Sequence, residues 1–106
     1  MFRFFALFAF LSLLPAPLFA APQCMVYADK AFGGASLSVT VNQPLSKLPT
    51  TLDNSISSVK VAEGCILVGY ADPAFRGHTQ TWGPGSYEQL PAEWDDTISS
   101  AQCNCR

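Results

Sequence analysis

Two short stretches concentrate oxygen-bearing side chains in the same order: Asp53-Asn54-Ser55-Ile56-Ser57-Ser58 and Asp95-Asp96-Thr97-Ile98-Ser99-Ser100. In each, two adjacent Asp or Asn residues precede hydroxyl groups two, four and five positions on from the first. A hard cation such as calcium takes 6–8 oxygens from carboxylates, amides, hydroxyls, backbone carbonyls and water, so this donor set suits one. The competing interpretation is structural, because Asp and Asn favour turns by bonding their own backbone. Both copies are intact at every oxygen-bearing position, which favours the cation.

Other chemistries fit less well. Cys24, Cys65, Cys103 and Cys105 are an even set suited to two disulfides in an exported chain, with three possible connectivities. Cys103-Asn104-Cys105 is too closely spaced for a zinc ligand pair, and the single histidine, His78, has no ligand-like neighbour. His78 is also the only group suited to acid–base work near neutral pH, and no Ser or Cys has a plausible base beside it. Asp95 and Asp96, adjacent in sequence, cannot flank a substrate as hydrolase carboxylates do. The chain is therefore read as non-enzymatic. Its Lys and Arg residues form no cluster of the kind nucleic-acid binding needs.

The N-terminus bears on compartment. Arg3 is followed by an apolar run from Phe4 to Leu14, then Pro15, Pro17 and the small residues Ala20 and Ala21. A basic end, a short apolar core and a small-residue exit are the order of a secretory signal peptide. The run is shorter than the ~20 residues that span a bilayer, so no membrane anchor is expected. Residues 1–20 are assigned to the signal peptide and 21–106 to a single secreted, extracellular domain. Without Arg3, five basic and eight acidic side chains give that domain a net charge of −3. A domain this small buries only ~60–65 % of its unfolded surface, so cross-links or a metal would help to hold it together.

The elements that must position these groups are duplicated. Tyr27-Ala-Asp-Lys-Ala-Phe32-Gly33-Gly34 returns 43 residues later as Tyr70-Ala-Asp-Pro-Ala-Phe75-Arg76-Gly77. The Asp/Asn–Ser stretch returns after 42 residues, in the same order relative to the first pattern. The domain is a tandem repeat, with units at about 24–63 and 64–103. Leu37, Val39 and Val41 alternate with polar residues, placing one face inward. Cys24–Tyr27, Cys65–Val68 and Ser57–Val61 are further runs of strand length. Gly33-Gly34, Asn42-Gln43-Pro44 and Gly83-Pro84-Gly85 supply turns, and no helical period exceeds one turn. Four strands per unit predict an all-β sandwich of two four-stranded antiparallel sheets.

Tyr27-x4-Phe32-x-Gly34 and Tyr70-x4-Phe75-x-Gly77 resemble the signature of the βγ-crystallin family, whose domains are built from tandem Greek keys. In the second unit Gly85-x-Tyr87-x2-Leu90 and Trp94-Asp95-Asp96-Thr97-Ile98-Ser99-Ser100 extend the likeness. The first unit departs from it, with Leu52 in place of Trp94 and no counterpart of Gly85 and Tyr87. Tyr27 and Phe32, and likewise Tyr70 and Phe75, are expected to pack across a folded hairpin. Gly34 and Gly77 would take a positive φ or meet a close backbone.

The resemblance also implies two calcium sites built reciprocally. Ser57 would join one site with Asp95 or Asp96, and Ser99 the other with Asp53 or Asn54. Backbone carbonyls near Lys30 and Pro73, and at Ser55 and Thr97, would complete the shells, while Ser58 and Ser100 would tie the hairpins to the motifs. On the same scaffold Cys65 is expected to pair with Cys103 and Cys24 with Cys105. The expected state is a calcium-bound monomer without nucleic-acid or membrane partners. Secreted toxins or effectors and a protease inhibitor on similar folds are the alternative functions the resemblance allows.

Overall fold

The computed structural model describes residues 23–106, so the signal-peptide assignment for residues 1–20 lies outside it. Seven strands follow one another: β1 (Cys24–Tyr27), β2 (Ser36–Val39), β3 (Ser58–Val61), β4 (Cys65–Asp72), β5 (Arg76–Trp82), β6 (Gly85–Tyr87) and β7 (Ser100–Cys105). They form two antiparallel sheets, in the orders β2-β1-β3-β6 and β5-β4-β7. Among the described residues there is no α-helix, only a single 3₁₀ turn at Lys30–Phe32.

The two repeat units exchange one element each. β6 belongs to the second unit by sequence but pairs with β3 of the first, with Val59 opposite Tyr87. Reciprocally, Leu45 of the first unit pairs with Ala101 on β7, through bonds of 2.9 and 3.0 Å. The second sheet therefore has three strands and one bridge, where four full strands were expected. The sequence departure in the first unit accounts for this. Gly85 at φ 146° lets the backbone lie against the Tyr87 ring, whose hydroxyl donates to the Gly83 carbonyl at 2.9 Å. With no such pair around Leu45, pairing there shortens to a bridge. The expected inward face of Leu37, Val39 and Val41 also ends early, since Val39 is buried but Val41 lies beyond β2 and is 44 % exposed.

The core between the sheets is filled by equivalent positions of the two units, with volumes traded between them. Ile56 and Ile98, and Leu48 and Leu90, are like for like. Elsewhere Val26, Val39 and Leu52 correspond to Gly69, Trp82 and Trp94. The two tryptophans pack edge to face with centroids 5.7 Å apart. They need the space that Gly69 leaves, because a Cβ there would come within 2.9 Å of Trp82 Cζ3.

The disulfides are Cys24–Cys103 and Cys65–Cys105, which overturns the expected pairing. β7 runs two residues further than expected, so its last residue, Cys105, lies opposite the first residue of β4, Cys65. Cys103 therefore falls opposite Leu67, and its sulfur turns inward to meet Cys24 on the facing sheet. One bridge links the two sheets and the other closes neighbouring strands; each contributes about 2–4 kcal/mol.

Candidate metal centre

Each oxygen-rich motif begins at the end of a hydrogen-bonded turn. In the first unit Leu52 and Asp53 N–H both donate to Pro49 O at 2.8 Å; in the second, Trp94 and Asp95 N–H donate to Pro91 O at 2.8 and 2.9 Å. The turn ends because the next residue is left-handed, Asn54 at φ 56° and Asp96 at φ 58°. Asn and Asp tolerate that conformation better than most residues, which is a backbone reason for the second motif position. The left-handed step carries each loop onto the other unit. Asn54 N–H donates to Ile98 O and Asp96 N–H to Ile56 O, both at 3.0 Å.

That exchange brings the side chains together across the pseudo-twofold axis. Ser57 Oγ donates to Asp96 Oδ1 at 3.2 Å, and Ser99 Oγ donates to Asn54 Oδ1 at 2.9 Å. The second residue of each Asp/Asn pair thus faces the serine of the other motif. Both serines are buried, Ser57 at 7 % and Ser99 at 4 % exposure. The first residue of each pair takes no part in this contact. Asp53 Oδ1 and Asp95 Oδ1 are instead buried with no hydrogen-bond donor among the described residues. Buried carboxylate oxygens normally find donors or a cation, so two at equivalent positions mark this place chemically. The side chains of Ser55 and Thr97 turn onto their own loops, donating to the Asp53 and Asp95 carbonyls at 3.2 and 3.1 Å.

The folded hairpins flank the same loops. Ala31 and Phe32 are left-handed, as are Ala74 and Phe75, so each hairpin turns sharply back over its sheet. Ser58 Oγ holds the first, donating to Asp29 O at 2.5 Å and accepting from Phe32 N–H at 3.0 Å. Ser100 Oγ repeats this with Asp72 O at 2.6 Å and Phe75 N–H at 3.0 Å. Tyr27 packs edge to face on Phe32 and Tyr70 on Phe75, both pairs 5.5 Å apart. Lys60 Nζ lies 4.4 Å from the Phe32 ring centre, an addition the second unit lacks because Gln102 stands there.

Gly34 (φ 75°) and Gly77 (φ 82°) leave room for Asp29 and Asp72, whose carboxylates would lie 2.6 Å from any Cβ. The proximity of Asp29 and Asp72 to these glycines was missed in the sequence, although both aspartates recur in the repeat. Each hairpin tip is also tied to the other unit: Ala31 N–H donates to Glu88 O at 2.8 Å and Ala74 N–H to Ser46 O at 2.7 Å. These bonds fix the peptides that carry the Lys30 and Pro73 carbonyls. The Lys30 carbonyl itself accepts from Gly33 N–H at 3.2 Å.

As a donor set for a cation, the residues that meet are all hard oxygens, and the residue preceding Asn54 and Asp96 in each motif carries an orphaned carboxylate oxygen. They fit calcium and would suit a softer metal poorly.

The solved structures this chain resembles share its architecture. A βγ-crystallin domain from Flavobacterium johnsoniae superposes with a TM-score of 0.69 at 26 % identity, covering 78 % of this chain and 94 % of that one. A βγ-crystallin from an archaeon gives 0.66 at 30 % identity, covering 78 % and 98 %. The fold is that of a βγ-crystallin domain. At the level of sequence, the model of the syncollin family matches residues 14–105. Rat (Rattus norvegicus) syncollin is 35 % identical over 86 residues, which cover 74 % of this chain and 64 % of the rat protein. This chain belongs to the syncollin family.

Proposed function

We propose that this protein is a secreted, non-enzymatic calcium-binding module with two oxygen sites shared between its repeat units. The observation that carries the reading is the reciprocal pairing of Ser57 with Asp96 and of Ser99 with Asn54, in motifs whose first residue, Asp53 or Asp95, keeps a buried carboxylate oxygen without a donor. One site would draw on Asp96, Ser57 and carbonyls at Lys30 and Thr97; the other on Asn54, Ser99 and carbonyls at Pro73 and Ser55. Bound calcium would cross-link the two units. These ligands give the first site one formal negative charge, from Asp96, and the second none, so modest affinity is expected, on the order of 10⁻⁵ to 10⁻³ M, the range of extracellular modules.

Secretion rests on the N-terminal pattern and on two disulfides, which persist in oxidising compartments. Two measurements test the proposal. Protein recovered from the medium of expressing cells should begin at Ala21, and retention inside the cells with residues 1–20 attached would refute secretion. A thermal melt of the oxidised protein in millimolar calcium should rise above that in chelator. Coincident melts would sink the calcium reading and leave the fold untouched.

A further inference from the structure

The two disulfides meet in a chemically unequal way. Cys24, Cys65 and Cys103 are at most 1 % exposed, whereas Cys105 is partly open to solvent. A cleft of about 500 Å³ lies beside it, lined by Glu63, Gly64, Ile66, Pro84 and both half-cystines of Cys65–Cys105. A thiol entering there reaches Cys105 and nothing of the inter-sheet bridge. Yet Cys103 Sγ is 3.7 Å from Cys105 Sγ, about van der Waals contact, and the sulfurs of Cys65, Cys103 and Cys105 all lie within 4.8 Å of one another.

We propose that Cys105 is an exchange site for an external dithiol, through which the buried Cys24–Cys103 bridge is opened by relay. In the first step a thiolate of the dithiol attacks Cys105 Sγ, and Cys65 leaves with the electron pair. The second thiol of the reagent then closes the reagent's own disulfide and releases Cys105 as a thiolate. The reagent is oxidised by two electrons and the Cys65–Cys105 bridge is reduced. In the second step Cys105 attacks Cys103 Sγ; a Cys103–Cys105 bond forms, and Cys24 leaves and takes up a proton from solvent. This step moves no net electrons.

The leaving group has a place to go. Cys24 Sγ lies 3.7 Å from the Ile66 carbonyl, which would accept the S–H of the released thiol. The exchange removes the covalent tie between the sheets. It depends on the disulfide geometry alone and stands or falls separately from calcium binding.

The test is disulfide mapping by mass spectrometry. The folded, oxidised protein is treated with limiting dithiothreitol, quenched with acid, and its free thiols are alkylated. The relay predicts a one-bridge species labelled at Cys24 and Cys65 that retains Cys103–Cys105. A one-bridge species labelled only at Cys65 and Cys105 would overturn it. In Cys65→Ser, which leaves Cys105 permanently a thiol, the relay predicts two isomers, one labelled at Cys24 and one at Cys105. Labelling of Cys105 alone would again contradict it.

Discussion

Ser58 and Ser100 allow the architecture of the site to be probed apart from any metal. Each hydroxyl is fully buried and makes two hydrogen bonds, one donated to a hairpin carbonyl and one accepted from a hairpin N–H. Ser58→Ala removes both and leaves Phe32 N–H and Asp29 O unmet beneath the Tyr27–Phe32 pair. A net hydrogen bond contributes about 0.5–1.5 kcal/mol and a stranded buried group costs about 1–3 kcal/mol. Partial access of water to the hairpin limits the second figure, so a loss of about 2–4 kcal/mol is expected. For a domain of this size that is a fall in Tm of roughly 10–20 °C.

The assay is urea unfolding with disulfides intact and chelator present. Ser38→Ala serves as the control, because its hydroxyl is on exposed β2 and touches only Met25 Sδ; it should stay within ~0.5 kcal/mol of the parent. Since the Ser100 bonds match those of Ser58 to within 0.1 Å, the two variants should lose similar amounts, within about 1 kcal/mol. Losses below ~0.5 kcal/mol, or a large loss in one variant and none in the other, would refute the reasoning.

Three further outcomes are expected. Gly69→Ala should destabilise by about 1–3 kcal/mol in chemical denaturation, because its Cβ meets a Trp82 ring already fixed against Trp94. Asn54→Asp adds a negative charge opposite Ser99 and should tighten one calcium site by roughly tenfold, about 1.4 kcal/mol, in a titration that resolves the two. Ser57→Arg and Ser99→Arg should each abolish mainly one site; loss of both in either variant would count against separate, reciprocal sites.

Local pattern carried much of the fold and part of the site. The bounds of β1 and the hairpin aromatic pairs follow from a short run of strand length and a motif that occurs twice. The meeting of each serine with the opposite loop was implied by the family resemblance, and the repeat alone did not give it. The disulfide pairing was not legible. Cys103 and Cys105 lie on the same face of β7, so partner choice turned on where that strand ends, a two-residue question that local pattern does not settle. The Asp29–Gly34 and Asp72–Gly77 approaches and the Gly69–Trp82–Trp94 exchange of volume were hidden for a related reason. They are contacts between a residue and an absent side chain, which shape decides and periodicity does not record.

Calorimetric titration of calcium into the oxidised, metal-free protein tests the central proposal most directly. Two binding events are expected, with dissociation constants on the order of 10⁻⁵ to 10⁻³ M, and at millimolar calcium each site should add about 1–3 kcal/mol to stability. An absence of binding heat, together with unchanged stability in a protein whose near-ultraviolet spectrum shows it folded, would contradict it.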